Sequence, residues 1–183
     1  MKRCSLFLIA MCAYVMPVLA ADRWLDVVTS RTGYEFRGKS DNVAWTFDVP
    51  GRTIETTENR GRAFAHIDDV VVQVFTMRAS QFAGENVLLG HRKYESDYLE
   101  RMGAAVGPSN ICALMAIPHQ EWEVVPPKGA QTAMRSVYLT FVAKHQVVII
   151  AVAGEAAAEP EAKRKLRAIC SSLTLDAAKS QSD

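Results

Sequence analysis

The stretch TAMRSVYLTFVAKHQVVIIAVAG, residues 132–154, decides the fold. Two β-branched and apolar runs flank Lys144-His145-Gln146, so the segment predicts a long β-hairpin that turns at residues 144–146. The same signal recurs upstream. In VAWTFDV, residues 43–49, Val43, Trp45, Phe47 and Val49 alternate with Ala44, Thr46 and Asp48, which predicts a half-buried strand ended by Pro50-Gly51. RTIETTE (52–58) is Thr-rich and β-prone, and AFAHI (63–67) and VVVQVFTM (70–77) flank a hairpin turn at Asp68-Asp69. Closer to the central hairpin, ICALMAI (111–117) and QEWEVV (120–125) predict two strands, with Pro118 as a bend or edge between them.

Two segments change period. In HRKYESDYLERMG (91–103), Tyr94, Tyr98 and Met102 recur every four residues and Gly103 follows as a stop, predicting an amphipathic surface helix with charged residues on its other face. Near the end, Pro160 suits a first helical turn, and Ala162, Leu166, Ile169 and Leu173 form an apolar stripe. Lys163, Arg164, Lys165 and Arg167 fall mostly on the wet side of that helix. Strands, helix, strands, helix is the order of an α+β fold: an antiparallel β-sheet with two main helices packed on it, as a sandwich, over residues 39–175. Residues 21–38 form a lead-in anchored by Trp24 and Tyr34, and residues 176–183 a polar tail.

The first twenty residues have the build of a secretory signal. Lys2 and Arg3 precede an apolar run from Ser5 to Leu19, and Val18-Leu19-Ala20 suits signal peptidase, so cleavage after Ala20 is expected. The run is short for a membrane span, Pro17 interrupts it and nothing basic follows, so no stable membrane insertion is expected after cleavage. Lipoprotein processing at Cys12 fits less well, because Met11 is large where a small residue is needed. The expected location is the periplasm or the secreted fraction. Of the 21 Lys+Arg residues, Lys2 and Arg3 leave with the signal, so the mature chain carries 19 against 20 Asp+Glu, a net charge of −1. That balance gives no electrostatic case for nucleic acid or an anionic membrane.

Cys4 and Cys12 leave as well, and Cys112 and Cys170 remain. An isolated pair in an oxidising compartment reads first as one disulfide; two buried thiols, or one reactive thiol, are the alternatives. A bond closing that loop of 58 residues stabilises by about 4 kcal/mol on the chain-entropy model.

The arrangement resembles the PsbP/DcrB-like fold family, which includes PsbP subunits of photosystem II and DcrB-type bacterial envelope proteins. The matching features run from WTFDVPG through YESDYLERM and the hairpin RSVYLTFVAKHQVVIIAVAG to KRKLRAICSSLTL, over roughly residues 40–175. One departure is RTI after the early VPG, where bacterial relatives commonly carry a Trp. The resemblance implies an exported binding or accessory domain and carries over no catalytic motif.

Motifs that would name a reaction are absent: no G-x-S-x-G, no H-E-x-x-H, no phosphate-binding glycine loop, no C-x-x-C. The stretch PHQEWE (118–123) places His119, Glu121 and Glu123 on one face of a strand. Residues two apart on a strand have Cβ atoms about 6.6 Å apart, so a metal takes two of the three at most and needs a further ligand such as His66, His91 or His145. A solvated strand face, not a metal or acid–base site, is the expectation there, with Trp122 and Val124 half buried on the other face. No catalytic residue, metal or cofactor is assigned.

The connector SQFAGENVLLG (80–90) carries Phe82, Val87, Leu88 and Leu89 among glycines and polar residues. Either these side chains plug the sheet edge or they present an apolar loop to a partner; the partner-binding assignment falls on all four. The expected function is a non-enzymatic exported protein that binds another envelope protein as accessory, adaptor or inhibitor. A small exported hydrolase with a non-local site is the alternative, and a small-ligand carrier a third reading.

Overall fold

The computed structural model describes residues 23–31, 33–40, 43–59, 62–82, 86–127, 129 and 134–177. The expected signal segment 1–20, residues 83–85 of the connector and the tail from residue 178 lie outside the described residues. In chain order the elements are β1 (Arg23–Thr29), β2 (Gly33–Ser40), β3 (Val43–Pro50), β4 (Thr53–Asn59), β5 (Arg62–Ile67), β6 (Val70–Arg78), α1 (Val87–Arg101), β7 (Ala105–Pro108), β8 (His119–Val125), β9 (Met134–Ala143), β10 (Gln146–Glu155), α2 (Glu159–Ser172) and β11 (Thr174–Ala177).

The predicted central hairpin is β9–β10, paired from Gln146↔Ala143 to Glu155↔Met134 across the Lys144-His145 turn. Around it lies a seven-stranded sheet in the order β4-β5-β6-β10-β9-β8-β7, antiparallel at every pairing. A second sheet, β1-β2-β3-β11, is also antiparallel. This is the α+β class that the element order implies, with a second sheet added. The lead-in over residues 21–38 supplies that addition: residues 23–40 are two paired strands of the small sheet.

Each face of the large sheet has its own core. On one side, Phe36, Trp45, Phe47 and Val49 of the small sheet and Ala162, Leu166 and Ile169 of α2 meet Ile67, Val72, Leu139, Phe141 and Ile150. On the other side, Leu99 of α1 and Phe82 cover Trp122, Val124, Tyr138, Val147 and Ile149. Strand β10 is therefore buried on both faces, Val148, Ile150 and Val152 in one core and Val147, Ile149 and Ala151 in the other. That is why its sequence is a continuous apolar run and not an alternation.

Sequence expectation and structure part at residues 111–117, on α1 and at Lys165. The ICALMAI segment is not a strand; residues 111–114 form turns between β7 and β8. On α1 the apolar spacing Tyr94, Tyr98, Met102 does not mark the inner face, because Leu88, His91, Glu95 and Leu99 are the buried positions while Tyr94 is 55% and Met102 64% exposed. Lys165, expected on the wet side of α2, is buried. Its Nζ donates to the Pro50 carbonyl and lies 2.6 Å from Asp68 Oδ2 and 3.1 Å from Glu161 Oε1. Asp68 turns through positive φ at the tip of the β5–β6 hairpin, and the Lys165 contact, followed by the Arg52 amide, holds its carboxyl below the usual range. A buried ammonium is tolerated because three oxygens replace its water.

In the β2–β3 register Gly38 lies opposite Trp45. The Trp45 indole lies over the glycine, and a Cβ there would stand 2.1 Å from Trp45 Cζ2. Trp45 in turn stacks on Phe47 and meets Phe141 edge-on. Gly38→Ala therefore displaces the largest side chain of that core, and the expected loss is about 1–3 kcal/mol or more. Urea unfolding reads it; an unmoved midpoint refutes it.

Candidate functional site

Strand β8 answers the question posed by PHQEWE. His119, Glu121 and Glu123 do share a face, while Trp122 and Val124 enter the α1-side core. That shared face is not solvated as expected, since Glu121 is buried. Its carboxylate accepts from Ser109 Oγ at 3.1 Å, from the Ile111 amide at 2.9 Å and from the Cys112 amide at 3.2 Å. His119 Nδ1 lies 2.8 Å from the Ile117 carbonyl, and Glu123 pairs with Lys163 of α2 at 2.9 Å. Lys163 also holds Glu159, whose second partner is Arg135 of β9, and these contacts keep the Glu159 carboxyl below its ordinary range. Each member of the trio thus fastens a neighbouring segment. Among the described residues, no three His, Cys, Asp or Glu side chains stand close enough to hold a metal ion.

What Glu121 fastens is the turn after β7. The turn is held a second time by the Cys112–Cys170 disulfide to α2, with Cα atoms 5.6 Å apart. A third constraint closes its tip, where the Met115 amide donates to the Cys112 carbonyl at 2.8 Å. Ile111, Met115 and Ile117 pack inward on the small-sheet side of the core. Leu114 does the opposite and is 100% exposed. A lone exposed leucine is ordinary on a protein surface, but this one stands on a turn fixed at its base, its tip and its inner side.

The connector residues separate. Phe82 and Leu88 are buried, Val87 is half-buried and Leu89 is 53% exposed. Val87, Leu88 and Leu89 are not a loop but the first turn of α1, whose N-terminus is capped by the Asn86 side chain accepting from the Leu89 amide at 3.1 Å. The edge-plug reading therefore fits Phe82 and Leu88, and Leu89 is the member of the set available to a partner. Sequence inspection passes over Leu114 because its neighbours imitate a strand.

Beneath α1 lies a titratable pair that the sequence did not single out. His91 and Glu95, one helical turn apart, both point into the sheet, with His91 Nε2 3.7 Å from Glu95 Oε1. Phe82 meets the imidazole edge-on at 4.9 Å, and Trp122 lies 5.9 Å from it and stacks on Tyr138. His91 is 0% exposed, and among the described residues neither of its ring nitrogens has a hydrogen-bond partner. Burial lowers its pKa from 6.5 to about 4 and raises that of Glu95 from 4.5 to about 7. Burial, with the Glu95 charge, raises Tyr138 as well. Between those limits both side chains are neutral and the pair keeps one proton, on Glu95. The groups are those of acid–base chemistry, but both are buried, and His91 packs between the Phe82 and Trp122 rings. His66 sits half-buried on β5 and His145 in the β9–β10 turn, so neither joins this pair.

The chain is thus an α+β domain of two antiparallel sheets and two helices, with an exposed apolar turn on one flank and a buried proton-bearing pair on the other. No protein-family model matches the chain, and no curated protein matches it. No described helix is long and apolar enough to cross a membrane.

Proposed function

We propose that the protein is a non-enzymatic binding module exported to the cell envelope, where it acts as accessory, adaptor or inhibitor of another envelope protein. The observation that carries this reading is the set of large apolar side chains left in solvent by an otherwise well-packed fold: Leu89 and Tyr94 on α1 and Leu114 on the braced turn. The signal-like segment 1–20 and the resemblance to PsbP/DcrB-like domains support it, and a disulfide suits an oxidising compartment. The hydrolase alternative needs a histidine and a carboxylate converging in a cleft. His91 and Glu95 converge beneath α1 with little or no exposure to solvent, which favours binding over catalysis.

Gentle extraction from the cells that make the protein, followed by size separation and intact-mass analysis, tests the reading. The expected result is a chain beginning at Ala21 that migrates in a complex well above its own mass. A full-length chain retained in the membrane, or a mature chain migrating alone, overturns it.

A further inference from the structure

The two helices are held on the sheet by different means. Helix α2 is tied at several points: Cys170 by the disulfide, Ser172 by the Asp48 amide and Lys163 by Glu123. It buries one charge, Lys165, and gives that ammonium three oxygens. The polar side chains of α1 turn mostly on the helix itself. Asn86 caps it, and Lys93 and Arg101 reach Asp97, while Arg92 crosses to Gln120 on β8 at 3.2 Å. Of its four inward positions, Leu88 and Leu99 are each 9% exposed, at the margin of the core. The two between them are His91 and Glu95. Among the described residues neither His91 nitrogen has a hydrogen-bond partner, and the Glu95 oxygen stands off at 3.7 Å. Half of the face that should hold α1 down is therefore ionisable and unbonded.

We infer that α1 is a lid: it leaves the sheet while the rest of the fold stays intact, because the buried His91–Glu95 pair opposes its docking, and it uncovers the face built on Trp122 and Tyr138. Docked, both side chains are neutral and the shared proton sits on Glu95. In water the imidazole takes that proton and the carboxylate ionises, since their ordinary values are 6.5 and 4.5. Docking therefore moves a proton from the stronger base to the weaker, uphill by about 100-fold. The pair carries one proton in either state between pH 4.5 and 6.5, so the penalty is the same throughout that window. The groups around the pair do not relieve it. Phe82 and Trp122 bring rings without charge, Val147 and Ile149 of β10 are apolar, and the Tyr138 hydroxyl of β9 is itself raised by burial. Beneath the lid, β8, β9 and β10 stay joined by their own ladders, and the core on the other face keeps α2 and the small sheet. A helix of 15 residues off the sheet is marginal in water, so undocking also frees its amides.

Native-state amide hydrogen exchange of the disulfide-bonded chain at pH 5.5, in urea too dilute to unfold it, tests the lid. After correction for intrinsic rates, the amides of residues 91–101 should exchange at least about 100-fold faster than those of residues 148–152 in β10, with a weaker dependence on urea. The double variant His91→Leu, Glu95→Leu should slow the α1 amides by about 100-fold. Glu95→Gln keeps the shape of the side chain and decides the matter should the leucine pair misfold. Its α1 opening should grow about tenfold for each pH unit from 6 down to 4.5, while the wild-type opening stays within about threefold. Exchange of α1 in step with β10, at the same urea dependence, overturns the lid. An α1 that opens by itself but keeps its rate in the leucine variant and its flat pH profile in Glu95→Gln overturns the inference too, because the pair is then not what opposes docking.

Discussion

A chain carrying Cys112→Ala and Cys170→Ala unfolds with about 4 kcal/mol less stability than the bonded chain. The bond links positions 58 residues apart, and the loop it closes contains β8, β9, β10 and most of α2. Without it the unfolded chain regains the freedom of that loop, while the folded chain keeps its other tethers: Leu166 and Ile169 in the core, Lys165 on Asp68 and Pro50, and Ser172 on the Asp48 amide. Stability of a domain is on the order of 5–15 kcal/mol, so the change is large but leaves a folded protein. Urea unfolding of the two chains reads it directly. The turn at residues 109–117 should also exchange its amide hydrogens faster, because it is then held by Glu121, the tip hydrogen bond and the packing of Ile111, Met115 and Ile117 without the covalent tie to α2. A urea midpoint that does not move refutes the prediction.

The second large effect is one of sign. His91 has a folded pKa near 4 against 6.5 when exposed, so between those values the unfolded chain binds more protons and stability falls as the pH falls. Glu95 has a folded pKa near 7 against 4.5, so between those values the folded chain binds more protons and stability falls as the pH rises. Each arm amounts to about 3 kcal/mol. In the wild-type protein the two nearly offset, and stability should be almost flat from pH 4.5 to 6.5. Glu95→Gln removes one arm and should lose stability steadily as the pH is lowered from 6.5 to 4. His91→Leu removes the other and should lose stability as the pH is raised from 4.5 to 7. Packing changes shift each curve vertically without altering its slope, so the slopes carry the information. Tyr138, near the pair, is raised further above its ordinary value, and Arg92 reaches out to Gln120. Urea midpoints at four pH values decide the matter, and variants that slope alike refute it.

How far the sequence discloses this molecule depends on whether residue type and residue environment agree. They agree in the β9–β10 hairpin, where β-branched runs bracket a short turn, and in α2, where Ala162, Leu166 and Ile169 face the core as their spacing requires. They agree for Cys112 and Cys170, which have few other pairing options in the chain. They disagree on α1. The buried positions Leu88, His91, Glu95 and Leu99 have good helical spacing, but two carry polar side chains, and Tyr94, Tyr98 and Met102 offer a more apolar decoy. They disagree at residues 111–117, where β-propensity is overridden by a carboxylate and a disulfide that arrive from β8 and α2. Lys165 is the same case, since its burial is permitted by Asp68 and Pro50, which lie far away in sequence. What stays hidden at residues 111–117 and at Lys165 is a contact made from elsewhere in the fold, by the disulfide to α2 and by Asp68 and Pro50. Local periodicity carries no trace of such contacts.

Strand β11 has a bearing on when the chain can fold. It completes the small sheet by pairing with β3, from Thr174↔Thr46 to Ala177↔Val43, and the Thr46 and Thr174 hydroxyls meet at 2.9 Å across 128 residues of sequence. During synthesis β3 is among the first strands made, and that edge keeps its amides and carbonyls unpaired until nearly everything else has been added. Contacts so distant along the chain form slowly, and an unpaired edge is open to pairing with other molecules in the meantime. The β3–β11 edge of the small sheet therefore closes only when synthesis is nearly complete, whereas β1, β2 and β3, which are neighbours in sequence, can pair earlier.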